Sequence, residues 1–183
     1  MKQLLLIIAF LVAGTQLTNA QQTRGARNML SITYEQEGDS MQISRYTYQE
    51  FNKKGLTTKE VIMHPDSTIK SHEEWNYDRK QRETEYRVYT KTGTLDRKLI
   101  ITYDRFGNRK QTVLFNGEGA VLETTNFTYN RFGKKTDEIT LNAQGEKTKQ
   151  ISFEYDDHGA LIKRIIYDHQ GHIISQKTWT YTY

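Results

Sequence analysis

An all-β fold is what this sequence predicts: an antiparallel meander of about ten to eleven strands, coiled into an open half-shell or barrel-like sheet. Three observations carry that expectation. Phe51, Tyr77, Tyr103, Tyr129, Tyr155 and Tyr181 recur every 26 residues, and Met63, Tyr89, Phe115, Leu141 and Tyr167 run between them at the same period. Most members of both series are followed by Asp or Asn and, three positions later, by Gly, so a turn recurs at alternating intervals of 12 and 14 residues. Between the turns polar and apolar residues alternate with period 2, the pattern of strands, and a helical period is nowhere sustained.

The first element is not part of that fold. Lys2, an apolar run from Leu4 to Ala13 and a polar stretch from Thr15 to Asn19 ending in Ala20 follow the order of a secretory signal peptide. The apolar run is about half of the roughly 20 residues that a membrane-spanning helix needs. Residues 1–20 are therefore expected to be cleaved, which places the protein in the periplasm, at the cell surface or outside the cell. Residues 21–27 read as a flexible N-terminal segment and 28–183 as a single β-repeat domain that does not span a membrane. Cysteine is absent, which excludes disulfides and a lipobox-type anchor. Stability rests on burial and hydrogen bonding, for which 12 Tyr, 7 Phe and 2 Trp supply aromatic mass.

Residues 28–50 read as a first hairpin, in which Ile43 and then Tyr46 and Tyr48 change parity, so a bulge or a face switch is expected there. From residue 51 onward the turns Asn52–Gly55, Asp104–Gly107, Asn116–Gly119, Asn130–Gly133, Asn142–Gly145, Asp156–Gly159 and Asp168–Gly171 all read Asp/Asn-x-x-Gly. The carboxyl or amide oxygen of the first residue accepts the backbone N–H two residues on. The Gly supplies the left-handed conformation that closes a type I turn with a G1 bulge. Thr90–Gly93 keeps only the Gly, while Asp78–Gln81 and His64–Ser67 lose it, as terminal repeats of an array often do.

Because 12 and 14 are both even, odd positions are expected to share one face throughout. That face would carry Trp75, Val113, Phe115, Phe127, Ile139, Phe153, Ile165 and Trp179, against a mostly polar even face. The unequal intervals shift the register by about two residues per hairpin, close to the shear of barrels, so a flat sheet is not expected. Arg97, Arg109, Glu123, Asp137, Lys147 and Lys149 on the odd face deny it the outward apolar band of an outer-membrane barrel.

Tyr103-Asp104-Arg105-Phe106-Gly107 and Tyr155-Asp156-Asp157-His158-Gly159, with Tyr129-Asn130-Arg131-Phe132-Gly133 as a near copy, resemble the repeat unit of the YD-repeat family found in Rhs-type and teneurin-like proteins. The likeness covers about residues 51–183. It implies a β-shell; in the large members such shells enclose a toxin domain or form an extracellular scaffold. This chain is closer to the short secreted YD-repeat-like proteins of Bacteroides-type bacteria, for which the resemblance implies a fold and no activity.

Chemistry is sparse. The formal charge is +4, but basic and acidic residues are interspersed, which reads as a solvated face and not as a nucleic-acid footprint. Of the five His, His158 and His169 belong to different turn series and cannot converge, and His169, His172 and Asp168 flank a turn in which Asp168 already has the capping role. No metal and no cofactor are expected. Without Cys or a Gly-x-Ser-x-Gly elbow nucleophilic catalysis has no support. Glu73, Glu74, Glu83 and Glu85 are the candidate paired carboxylates.

What remains is an aromatic surface. Trp75, Tyr77, Phe127, Tyr129, Phe153, Tyr155, Trp179 and Tyr181 either fill a core or line a groove for sugar stacking or an apolar partner, with Arg87 and Arg109 able to hold an anionic group there. The expectation is an exported, non-enzymatic scaffold or binding protein whose partner is a glycan or another cell-surface protein. The alternative is a carboxylate-dependent glycan-processing hydrolase in an aromatic groove.

Overall fold

The computed structural model describes residues 25–183; the signal-peptide reading of 1–20, and residues 21–24, lie outside them. Twelve strands follow one another: β1 (Asn28–Glu37), β2 (Ser40–Phe51), β3 (Thr57–Met63), β4 (Ile69–Tyr77), β5 (Glu83–Tyr89), β6 (Leu95–Tyr103), β7 (Arg109–Asn116), β8 (Val121–Tyr129), β9 (Lys135–Asn142), β10 (Lys147–Tyr155), β11 (Leu161–Tyr167) and β12 (Ile173–Thr178). They form one antiparallel sheet in chain order, the expected meander with one strand more than the expected upper number. β1 and β12 stay unpaired with each other, so the sheet is an open half-shell and not a barrel. Each strand touches only its neighbours in sequence. One layer buries little: the buried hydrophobics are Phe51, Ile101, Ile151 and Ile165, and most strand positions are half-buried.

The turns follow from local chemistry. In the turn at Asp104, Oδ1 accepts the N–H groups of Phe106 and Asn108, both at 2.9 Å. The Gly107 N–H donates to the Asp104 carbonyl at 3.1 Å, and Gly107 has φ 93°. Asn52, Asn116, Asn130, Asn142, Asp156 and Asp168 repeat the same pair of side-chain bonds. The degenerate turns keep this shape without the glycine: Ser67 has φ 66° and Gln81 φ 63°. A left-handed non-Gly residue costs roughly 1–2 kcal/mol. Ser67→Gly is therefore expected to raise the urea-unfolding free energy by about 1 kcal/mol. Gln81→Gly should gain less, because Gln81 also accepts a bond from Asn52 Nδ2 at 3.2 Å.

The expected parity rule fails, and the pairing says why. Tyr103 pairs with Arg109, but Thr102 pairs with Gln111, so Lys110 is an extra residue in β7. The same one-residue bulge follows every turn from Asn52 to Asp168. It inverts parity from one strand to the next, so Leu99 faces Leu114 and Trp75 faces Tyr86. Trp75, Ile101, Phe127 and Phe153, all on even-numbered strands, do share a face. Val113, Phe115, Ile139 and Ile165, together with Met63, Tyr89, Leu141 and Tyr167, lie on the other. Both faces are thus partly apolar, and repeated bulges add the twist that coils the sheet. In the first hairpin the expected irregularity is present: Thr33 pairs with Arg45 and Tyr34 with Ile43, leaving Ser44 bulged.

Bulges interrupt the ladder and leave carbonyls in need of donors. The repeated tyrosines supply them. The hydroxyls of Tyr77, Tyr103, Tyr129, Tyr155 and Tyr181 donate to the carbonyls of Thr57, Glu83, Arg109, Lys135 and Leu161, at 2.8, 2.6, 2.9, 2.8 and 3.1 Å. Each acceptor lies 20 residues back, at the first residue of the neighbouring strand. The first member of the series is Phe51, which has no hydroxyl to place.

Candidate functional site

The face that carries Trp75 has a regular row. Trp75, Ile101, Phe127 and Phe153 on the even strands alternate with Glu83, Arg109 and Lys135 at the starts of the odd ones. Lys135 shows what the alternation does: its Nζ lies 5.7 Å from the Phe127 ring centroid and 4.8 Å from that of Phe153, while pairing with Glu138. One repeat earlier Arg109 takes the corresponding place.

Beside Arg109 the face hollows into a cavity of about 210 Å³ across β5 to β8. Val88, Leu99, Leu114 and Phe127 make its apolar wall; Tyr86, Arg97, Arg109, Thr112 and Glu123 bring polar groups to it. Arg97 is held by Asp96 at 2.9 Å. Burial raises the Glu83 carboxyl above its ordinary range, and the nearby Arg109 charge only partly offsets this. Burial, and then a hydrogen bond to Glu73, raise the Tyr86 hydroxyl as well. Apolar walls with the Arg97 and Arg109 guanidiniums set against the Glu123 carboxylate suit a small group that combines a flat apolar surface, a negative charge and hydroxyls able to donate to Glu123.

The eight aromatics singled out from sequence have different roles here. Phe127 lines the cavity, and Trp75 lies behind Tyr86 with ring centroids 5.5 Å apart. Phe153 stacks under Lys135. Tyr77, Tyr129, Tyr155 and Tyr181 hold carbonyls, as described; burial and then the Glu83 charge push the Tyr77 hydroxyl up to about 12. Trp179 follows β12, its N–H donating to the Ile162 carbonyl at 2.9 Å and Lys177 lying over its ring at 5.0 Å. Tyr86, Val88 and Leu114 were not legible as site residues, since the bulges put them on the cavity face; Arg97 lies on that face by parity alone and was counted only as a charge that a lipid-facing band would exclude.

Arg87 does not join Arg109. It pairs with Lys98 across β5 and β6 on the opposite face, where it bonds Glu85 at 2.8 Å and approaches Glu74 to 3.7 Å. Glu74 also takes the Tyr89 hydroxyl at 2.8 Å and His72 Nε2 at 3.1 Å, and His72 stacks on Tyr89 at 4.3 Å. Burial works against ionisation of Glu74, yet the bonds from Tyr89 and His72 hold its carboxyl below the ordinary range.

The turn carboxylates behave alike. In Asp104 the bonds from Asn108 and Phe106 outweigh desolvation and lower the carboxyl; Asp66, Asp78, Asp156 and Asp168 are lowered too, chiefly by the N–H groups and side chains that they accept. A carboxyl depressed in the folded state binds its proton more readily when unfolded. The stability that it contributes is complete above the unfolded value near 4 and is lost as pH falls through the lower folded values. Urea midpoints should therefore drop below about pH 4, whereas the raised Glu83 carboxyl works the other way and takes some stability away as pH rises above the unfolded value. Asp104→Asn should lessen the drop, because Asn52 and Asn130 make the same turn uncharged.

No protein-family model matches the chain, and no curated protein matches it. Among solved structures it is similar to the Tc holotoxin pore of Photorhabdus luminescens, at 11% identity over 82% of this chain and 8% of that one, with a TM-score of 0.42. A porin-like protein from Bacteroides uniformis is similar at 13% identity over 87% of this chain and 58% of that one, TM-score 0.39. A Bacteroides fragilis protein of unknown function is similar at 12% identity over 83% and 93%, TM-score 0.25. The chain spans less than two thirds of the length of the first two.

Proposed function

We propose that this chain is an exported, non-enzymatic binding scaffold of the YD-repeat kind, and that its cavity between β5 and β8 receives an acidic sugar. The observation that carries this reading is the cavity itself: about 210 Å³, with Phe127 and Tyr86 beside Arg97 and Arg109. Aromatic rings stack on sugar faces and guanidiniums pair with carboxylates. Half-shell, turns and tyrosine clasps support the scaffold part; the first twenty residues support export.

Trp75 is placed to report on ligand through Tyr86. In a Trp179→Phe background, uronic-acid oligosaccharides should shift Trp75 emission and shield it from acrylamide, and neutral ones should do so less. Arg109→Ala should weaken that response about tenfold, the value of a charged hydrogen bond. Emission and quenching that no glycan changes would sink the reading. A hydrolase is the second reading, favoured by Glu60 and Glu73 standing directly opposite each other on the cavity face, one strand from Tyr86. It requires that the chain release reducing ends from a glycan and that Glu73→Gln abolish the release.

A further inference from the structure

The turns fall into two rims, one at each end of the strands, and every turn from Asn52 onward is closed by the same backbone bonds. In the turns at 52, 78, 104 and 130 residue i caps the turn through its own side chain and residue i+3 takes the left-handed conformation; the side chains at the two tip positions between them make none of those closing bonds. Composition at those four tips is therefore not fixed by the closing of the turn, and it differs sharply from that of the other rim, where Asp66 accepts the Thr68 N–H and Gly117 packs against the Leu95 carbonyl. On the rim of the turns at 52, 78, 104 and 130 the tips read Lys-Lys at 53–54, Arg-Lys at 79–80, and Arg-Phe at 105–106 and 131–132. That is six cations, two phenylalanines and no acid. The tips of the other rim read Gly-Asp at 38–39, Pro-Asp at 65–66, Lys-Thr at 91–92, Gly-Glu at 117–118, Ala-Gln at 143–144 and His-Gln at 169–170, with one Lys against three acids.

The two phenylalanines have no packing role. Phe106 is 75% exposed and Phe132 71%, each with the guanidinium of its own Arg105 or Arg131 4.6 Å from the ring centroid. The fifth tip on this rim, Asp157-His158, ends the run: Tyr183 stacks on His158 at 4.1 Å and donates to Asp156 at 2.7 Å. Turns on one rim lie two strands apart, about 10 Å. Four tips thus present six cations along a rim about 30 Å long, with an apolar ring beside the charge at the last two.

We propose that this rim docks on an anionic lipid surface, with Phe106 and Phe132 entering the headgroup boundary and the six tip cations meeting lipid phosphates. Rings at protruding tips, flanked by cations and separated from one another, suit an interface whose inner layer is apolar. A nucleic-acid strand fits less well. Each ring has an Arg over one face, and the rings are farther apart than successive bases.

The test is co-sedimentation of the protein with vesicles of phosphatidylcholine alone or mixed with phosphatidylglycerol. Binding to the mixed vesicles only, weakened by salt, is the expected result. The double variant Phe106→Ser, Phe132→Ser should bind about tenfold or more weakly, whereas Phe106→Leu, Phe132→Leu, which keeps apolar bulk, should bind nearly as the parent does. Circular dichroism of the variants establishes that the sheet is intact. Failure to bind mixed vesicles, or binding that the serine variant leaves unchanged, overturns the proposal. So does equal binding to a single-stranded oligonucleotide or to heparin that ignores the phenylalanines, which would make the rim a general polyanion site.

Discussion

Ile101→Ala is expected to lower the unfolding free energy by about 2–4 kcal/mol, far more than the same change at an outer strand. Ile101 is 3% exposed, the most buried hydrophobic among the described residues, and it sits in β6 at the middle of the sheet. Its repeat equivalents are Trp75 and Phe127, so it is the small member of a large-residue row, with Glu83 and Arg109 at the starts of the strands on either side. Truncation leaves a gap that a single layer can close only by bending. Ile173, in β12, is 57% exposed, and its loss should cost less than about 0.5 kcal/mol. Urea unfolding followed by circular dichroism measures both. Because each strand touches only its sequence neighbours, stability is close to a sum of hairpin terms. Disruption at β6 should therefore broaden the transition as well as shift it, as the two halves begin to unfold separately. Equal costs at Ile101 and Ile173 would mean that the row is not the core of the sheet.

Sequence made the hairpins legible because their chemistry is local. An Asp or Asn that bonds the backbone two residues on, and a Gly with positive φ, declare themselves within four positions, and the structure repeats that turn wherever the motif stands. The faces were not legible in the same way. The bulged residues, among them Thr58, Lys110, Leu122 and Ile162, share no residue type, so nothing in the chain announces them. One unannounced residue per hairpin reverses which side chains meet. The cavity depends on that reversal, since Leu114 reaches Leu99 only through it. The tyrosine series misled in another manner. Spacing marked the position before each turn and left its aromatics as core or groove lining; Tyr77, Tyr129, Tyr155 and Tyr181 from that reading make four of the five hydroxyl bonds. A Phe at the start of the series, where the bond is not made, is the one clue that the hydroxyl matters.

Gly117→Ala is the second large effect, about 1–3 kcal/mol of destabilisation, and it arises where sequence suggests none. Gly117 occupies the first tip position of its turn, which Ala143, Lys91 and His169 fill with side chains in the turns beside it. Its companion Gly119 is the one with positive φ, 87°. By the turn chemistry alone Gly117 is free to vary. A Cβ there would lie 2.0 Å from the Leu95 carbonyl oxygen and 3.0 Å from its carbon. Both are backbone atoms at the start of β6, so no side chain can swing aside; the Asn116 turn or the end of β6 has to move. Gly119→Ala meets no atom within 4 Å and loses only the left-handed preference, about 1–2 kcal/mol. The two variants therefore fail for different reasons and separate experimentally. Gly117→Ala should speed amide exchange at Leu95, Asp96 and Asn116 beyond the global loss of stability, through local opening of β6 from β7. Gly119→Ala should confine the change to its own turn. If Gly117→Ala proved as stable as the parent, the turn would hinge as easily as the one at Ala143, and the close approach to Leu95 would have no bearing on how β6 and β7 are held.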